Sequence, residues 1–119
     1  MIAFKHTDHI HICVPVERLE EARDFYTRVM GLTEIHRPVE LGDAGIWLAI
    51  GDIELHIGVE EPMPQTIRHT AFEVTNLEVA QQHLAGHGIV IQQQRKLPGR
   101  SRFSFLDPFG NRMELLQYD

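Results

Sequence analysis

Two histidines and two glutamates have the residue types and the spacing to bind a divalent metal ion. His9 and His69 lie 60 positions apart, and Glu54 and Glu114 repeat that offset. Two neutral imidazole nitrogens and two carboxylate oxygens form a ligand set that serves Ni, Co, Mn, Fe or Zn. A single histidine in a strand is more often a hydrogen-bonded core residue than a ligand. It is therefore the coincidence of both pairs that predicts one divalent metal site.

The sequence around these four residues predicts the same series of elements twice. Residues 8–14 and 68–74 alternate in polarity with a period of two, which indicates strands. One helical pattern follows in each half, from Leu19 to a stop at Gly31 and from an N-cap at Asn76 to Gly86 or Gly88. Three short strands complete each half, at 33–36, 46–50 and 53–59, then at 90–94, 102–106 and 112–118.

Each half is thus a βαβββ unit, and the chain is predicted to be an α+β protein built from two such repeats. The repeats span about 6–60 and 67–119 within a single domain, and the proline-rich residues 61–66 form the linker. Period-two alternation places all four candidate ligands on strand faces that the helices leave uncovered. We therefore expect them to converge on one concave surface.

The amino-acid composition indicates which kinds of molecule the protein is expected to bind. The net charge is −6, and no run of like charges appears, which argues against binding to nucleic acid or to a membrane surface. No stretch approaches the roughly 18 apolar residues of a membrane span, so we expect a cytoplasmic protein with a small-molecule partner. Cys13 is the only cysteine, and we interpret it as a packing residue.

Three segments carry a resemblance to a known family. Residues 8–12, 25–32 and 106–114 resemble the opening strand, the first-helix ending and the signature turn of the vicinal-oxygen-chelate superfamily, the glyoxalase/bleomycin-resistance/dioxygenase group. The resemblance implies a half-open mixed-sheet barrel around a metal ion. It also implies a homodimer whose sites are shared between chains. His9, His69 and Glu114 match the ligands of most metal-binding members, and Glu54 matches the fourth ligand of glyoxalase I.

Two positions depart from the glyoxalase I pattern. Cys13 stands where the bacterial enzymes usually have an arginine that holds glutathione, and Gly58 stands where they have an asparagine. The resemblance therefore does not extend to glutathione-linked chemistry.

The function expected from this pattern is glyoxalase-like proton transfer of the lyase or isomerase type on a small anionic metabolite. The metal would chelate two vicinal substrate oxygens, and Glu54 or Glu114 would act as the base. One alternative is an Fe(II)-dependent dioxygenase that uses His9, His69 and Glu114 as a facial triad. Another is a metal-independent protein that binds a drug or metabolite, as bleomycin-resistance proteins do.

Several further residues are candidates for substrate binding. His11 and His56 share the predicted site face and could be substrate contacts, donors to the metal ligands, or polar fillers. Trp47 and Phe103 could line the cavity or belong to the core. A cationic loop could close over an anionic substrate or be a solvated surface; it contains Arg95, Lys96, Arg100 and Arg102. Residues 107–111 are predicted to form a turn that places Glu114.

Overall fold

The computed structural model describes residues 1–61 and 66–119. The chain separates into two compact units, Met1–Met63 (unit 1) and Pro64–Asp119 (unit 2). Most of the predicted linker, residues 62–65, lies outside the described residues. No helix in the described part of the chain is long and apolar enough to cross a membrane.

Unit 1 contains one helical segment and four strands. Strand β1 is His9–Val14, helix α1 is Leu19–Asp24, and the remaining strands are β2 Thr33–Ile35, β3 Gly45–Ile50 and β4 Ile53–Val59. A 3₁₀ turn precedes α1 and a π-helical turn, Phe25–Val29, continues it. The strand order is β1-β4-β3-β2, with β1 and β4 parallel and the other neighbours antiparallel.

Unit 2 repeats this arrangement. Strand β5 is Thr70–Glu73, helix α2 is Leu77–Gly86, and the remaining strands are β6 Gln92–Gln93, β7 Arg100–Leu106 and β8 Arg112–Tyr118. The order β5-β8-β7-β6 again places the first strand of the unit parallel to the last. The prediction of an α+β protein with two βαβββ repeats is confirmed.

The helix ends follow from local sequence. The Asn76 side chain accepts a hydrogen bond from the backbone N of Val79 at 3.0 Å, which satisfies one of the amides that the first turn of α2 leaves without a helical partner. Gly31 adopts a φ of 76° directly after the first helical segment, a conformation that costs a glycine little. Both signals were readable in the sequence, which is why the helices fall where predicted.

Alternation along the strands separates a buried face from an open one. In β4, Leu55 and Ile57 are at most 1% exposed, and in β8 Met113 is equally buried. Burying one such aliphatic side chain stabilises the fold by about 1.5–3 kcal/mol. These side chains fix the phase of each strand, so the intervening residues of β4 and β8 must point to the opposite face.

The two units differ in the register of their parallel strands. In unit 1, His9 is paired directly with Glu54. In unit 2, Glu114 is paired with Ala71, and His69 lies just before the start of β5. The repeat is therefore symmetric in sequence but shifted by two residues in pairing, and a shift of two preserves the face on which each side chain lies.

Candidate metal-binding pairs in the two units

The first candidate pair, His9 and Glu54 (the unit 1 pair), lies on neighbouring strands. His9 Nδ1 is 2.9 Å from a carboxylate oxygen of Asp8. Because a carboxylate can only accept, Nδ1 carries a proton, and in the neutral imidazole Nε2 then keeps its lone pair. The same hydrogen bond lowers the pKa of Asp8 below its ordinary value. This is the tautomer that a histidine needs to bind a metal through Nε2.

Glu54 is held by a second histidine of its own strand. His56 Nε2 donates to Glu54 Oε1 at 2.9 Å. The Glu54 side chain is 39% exposed, whereas that of His56 is 9% exposed. Among the described residues no side-chain hydrogen bond to Glu54 Oε2 is found, so this second oxygen is the one suited to a ligand.

The second candidate pair, His69 and Glu114 (the unit 2 pair), is assembled in the same way with different partners. His69 Nδ1 donates to the backbone oxygen of Ile67 at 2.8 Å, which again leaves the lone pair on Nε2. That nitrogen lies 3.7 Å from Glu114 Oε1. Arg102 Nη1 donates to the same carboxylate oxygen at 3.0 Å. The Glu114 side chain is only 9% exposed.

Each unit thus offers one imidazole Nε2 and one carboxylate, and this donor set fits a divalent metal of the Mn, Fe, Co, Ni or Zn group. The test of fit is the tautomer: in both histidines Nδ1 donates to an acceptor, which is the orientation that partners of metal-binding histidines normally impose. Within residues 1–61 and 66–119 no group of three or more His, Cys, Asp or Glu side chains is placed to hold a metal ion. Each unit therefore carries its own pair of candidate ligands.

Different turns lead into the two glutamate strands. Strands β3 and β4 are joined by Gly51 and Asp52, with Gly51 at a φ of 58°. Strands β7 and β8 are joined by a longer turn organised by Asp107, which is 4% exposed. Its Oδ1 accepts hydrogen bonds from the backbone N of Phe109 and Asn111 at 2.9 and 2.7 Å. This buried carboxylate organises the turn predicted at residues 107–111, which leads directly into the strand that carries Glu114.

Three of the aromatic and histidine candidates, Trp47, His56 and His11, lie on the open face of the unit 1 sheet. Trp47 stacks on His56 with ring centroids 3.9 Å apart. The ring of His11 covers Gly58 so closely that a Cβ at position 58 would lie 2.7 Å from His11 Cε1. A larger residue at position 58 would therefore displace the exposed ring of His11.

Phe103 is not placed on the candidate site face. It is 1% exposed and paired with Leu115, so alternation puts it on the face opposite Arg102 and Glu114. The sequence left open whether Phe103 lines the cavity or belongs to the core, and the structure places it in the core. The sequence could not decide this because the register of β7 against β8 is not readable from one strand alone.

The cationic candidates of unit 2 have separate environments. Arg102 is fixed by Glu114 and by the backbone oxygen of Arg95, which accepts from its Nε and Nη2 at 3.2 and 2.9 Å. Arg100 lies over the Tyr118 ring, 5.1 Å from its centroid. The Arg95 side chain is exposed. Only Arg102, among these three, contacts a candidate metal ligand.

The sequence analysis did not identify two polar residues that lie near the candidate metal-binding pairs. Asp8 accepts a hydrogen bond from His9 and so orients its ring. The only indication of this role in the sequence is that a carboxylate directly precedes the candidate histidine. Ser104 is buried opposite Glu114 in the β7–β8 pairing and accepts from Gln94 Nε2 at 2.6 Å. A serine within a strand does not by itself indicate that its side chain is buried beside a candidate metal ligand.

Comparison with known proteins shows similarity along nearly the whole chain. The model of the Glyoxalase/Bleomycin resistance protein/Dioxygenase superfamily matches residues 8–115. A solved structure assigned to the glyoxalase family, from Bacillus anthracis, is 36% identical, with 100% of this chain and 99% of that chain covered and a TM-score of 0.90. A glyoxalase family protein from Enterococcus faecalis is 28% identical, with 95% and 98% covered and a TM-score of 0.73.

A more distant similarity is found with a metal-bound structure. The fosfomycin resistance protein FosX from Listeria monocytogenes, in complex with Mn(II) and sulfate, is 16% identical to this chain. The match covers 98% of this chain and 93% of that chain, with a TM-score of 0.81. At this identity the likeness concerns the fold alone.

Proposed function

Because this chain belongs to the glyoxalase/bleomycin resistance protein/dioxygenase superfamily, we propose that it is a divalent-metal-dependent enzyme that transfers a proton on a small anionic metabolite. The observation that carries the proposal is the pairing, in each unit, of an imidazole in the Nε2 lone-pair tautomer with a carboxylate. A protein of the same fold, FosX from Listeria monocytogenes, was solved with Mn(II).

The proposed ligands are the Nε2 atoms of His9 and His69 and the carboxylates of Glu54 and Glu114. When bound, the ion supplies positive charge that holds two adjacent substrate oxygens and makes a neighbouring C–H acidic. Asp8 and the Ile67 carbonyl keep the two imidazoles in the required tautomer.

Glu54 is the proposed base. Its carboxylate is 39% exposed and one of its oxygens is held by an imidazole N–H, so the other oxygen can approach a substrate proton. Glu114 is 9% exposed and is held by Arg102, which suits a fixed ligand more than a group that must reach substrate. Proton transfer is thereby assigned to unit 1.

Arg102 is the proposed contact for the anionic group of the substrate. Three of the five guanidinium N–H groups are used in hydrogen bonds to Glu114 and to the Arg95 carbonyl. The two remaining N–H groups are therefore held in a fixed orientation. The Arg102 side chain is 19% exposed, so a ligand can reach them. Fixed guanidinium donors recognise carboxylate or phosphate oxygens well. Arg95 and Arg100 are secondary candidates because neither contacts the unit 2 pair.

The main test is metal content and solvent exchange. Protein loaded with Mn(II), Ni(II) or Fe(II) is incubated in deuterium oxide with a panel of α-hydroxycarbonyl acids and α-ketoaldehyde adducts. We expect metal-dependent deuterium incorporation at the carbon next to the chelated oxygens, and loss of bound metal in His69→Ala. His87→Ala, an exposed histidine at the end of α2, is the matched control.

Other outcomes would contradict this proposal. Turnover that requires dioxygen and stops under anaerobic conditions would assign the protein to Fe(II) oxygen chemistry. Ligand binding by metal-free protein, unchanged by a chelator, would assign it to the binding proteins of the superfamily.

We also propose that a complete site combines unit 1 of one chain with unit 2 of a partner chain in a homodimer. A chain with a defective unit 1 pair (His9→Ala) is mixed under exchange conditions with one defective in the unit 2 pair (His69→Ala). Sites shared between chains would restore activity to about a quarter of the wild-type level, since half of the dimers are mixed and each has one intact site. Sites confined to single chains would restore none.

A further inference from the structure

His56 lies between two other rings on the open face of the unit 1 sheet. Its ring centroid is 4.0 Å from that of His9, with 17° between the planes, and 3.9 Å from that of Trp47, with 2° between the planes. Strand β4 lies between β1 and β3, so these contacts cover opposite faces of the imidazole. The side chain is only 9% exposed.

The edge of the ring is also occupied. His56 Nε2 is 2.9 Å from Glu54 Oε1, and because an ionised carboxylate only accepts, His56 is the donor. With both faces stacked and Nε2 bonded to Glu54, little of this imidazole is left for a substrate. Its surroundings therefore favour a role exerted through Glu54 over direct contact with a substrate.

We propose that His56 is a positioning residue that fixes the carboxylate of Glu54, and that Trp47 fixes the plane of the His56 ring. This inference rests on the function proposed above for Glu54. The hydrogen bond holds Oε1 and so restricts the rotation of the carboxylate, whose Oε2 would be the oxygen left for a metal ion or for a substrate proton. Trp47 acts one step further away, because rotation of His56 about its side-chain bonds would break the stack before it could break the hydrogen bond.

Two substitutions separate the hydrogen bond from the ring stack. His56→Phe retains an aromatic ring but removes the donor, whereas His56→Gln retains an N–H donor at a similar distance but removes the ring. The affinity for Mn(II) is measured from the electron paramagnetic resonance signal of free Mn(II), and deuterium exchange is then measured at saturating metal. His36→Gln, at an exposed histidine after β2, is the matched control.

We expect His56→Phe to bind Mn(II) about 10–100-fold more weakly, the usual cost of losing a partner of a metal ligand, and His56→Gln to recover most of that loss. In a Glu54→Ala background, His56→Phe should cause no further loss, because the residue through which it acts is gone. Circular dichroism verifies folding, and His56→Leu serves as a second variant without a donor if His56→Phe does not fold.

Wild-type affinity in His56→Phe would overturn the inference while leaving the proposed function intact. Equal losses in His56→Phe and His56→Gln would assign His56 to packing and would also overturn it. If the wild-type protein binds no Mn(II), Ni(II) or Fe(II), the proposed function fails and this inference fails with it.

Discussion

The unit 1 pair and the unit 2 pair have the same composition and spacing in sequence, but their carboxylates are held by different chemistry. Glu54 receives a hydrogen bond from His56, which is itself stacked between two rings. Glu114 receives one from Arg102, a permanent cation anchored to a backbone carbonyl. Glu54 is also the more exposed of the two.

This difference supports the different roles that we propose for the two repeats. A carboxylate that is held by an imidazole and accessible from one side can both bind a cation and take up a proton. A buried carboxylate held by a guanidinium is a fixed anchor. Duplication supplies two equivalent positions, and the side chains that donate to each carboxylate, from the same strand or from an adjacent one, determine what each position can do.

The largest expected effect separates the two glutamates. Glu54→Gln removes the proposed base, so we expect deuterium exchange to fall about 10²–10⁴-fold even at saturating Mn(II). Glu114→Gln should mainly weaken metal binding, so excess Mn(II) should restore much of its activity. The measurement is the exchange rate as a function of Mn(II) concentration. Restoration of Glu54→Gln by excess metal would remove the distinction between the two units.

Arg102→Gln should have the next largest effect. Loss of a charged hydrogen bond to an anionic substrate corresponds to about 1.5–3 kcal/mol, or roughly a 10–100-fold rise in KM. Turnover at saturating substrate should change less, because proton transfer is assigned to unit 1. Arg28→Gln, at a helical arginine that pairs with Asp24, is the control. An unchanged KM would place the anion contact elsewhere.

The two turns that lead into the glutamate strands should differ in their contribution to stability. Asp107 is buried and accepts hydrogen bonds from two backbone amides, so Asp107→Ala should lower the free energy of unfolding by about 1–3 kcal/mol. Asp52, in the short turn of unit 1, is exposed. Asp52→Ala should therefore change the free energy of unfolding by less than about 0.5 kcal/mol. Urea unfolding followed by circular dichroism measures both. Equal effects would show that the Asp107 hydrogen bonds contribute little.

The smallest expected effect is on the reactivity of Cys13 in the first strand of unit 1. The equivalent position in unit 2, 60 residues later, is Glu73. Burial raises the pKa of the Cys13 thiol, and the Glu60 carboxylate that accepts its hydrogen bond raises it further. A raised thiol pKa means less thiolate at neutral pH, so alkylation by iodoacetamide should be slow and should accelerate only in strongly alkaline solution. Glu60→Gln should move that pH profile downward, whereas Glu61→Gln should not. A fast reaction at neutral pH would contradict the assignment of Cys13 to packing.

Much of the fold was predictable because each element has a local signal. The cap at Asn76, the stop at Gly31 and the alternation around Leu55 and Met113 depend on neighbouring residues only. The two-residue shift between the β1–β4 and β5–β8 pairings was not predictable, since register depends on which strands meet and on the turns that join them.

For the candidate site, the sequence predicted the residue types but not their partners. The offset of 60 identified the two histidines and two glutamates from the chain alone. The hydrogen bond from His56 to Glu54 joins side chains of one strand, and that from Arg102 to Glu114 joins neighbouring strands, and both required the structure. Phe103 shows the same limit, since only its pairing with Leu115 decides its face.

The position of Trp47 gives the protein an internal optical probe. It is the only tryptophan in the chain, so indole fluorescence comes entirely from a ring that stacks on His56 next to the proposed base. Arrival of a paramagnetic ion or a light-absorbing compound near that ring would quench the emission of the unlabelled protein. Libraries of metabolites and metals could therefore be screened with a fluorimeter before any reaction product is known.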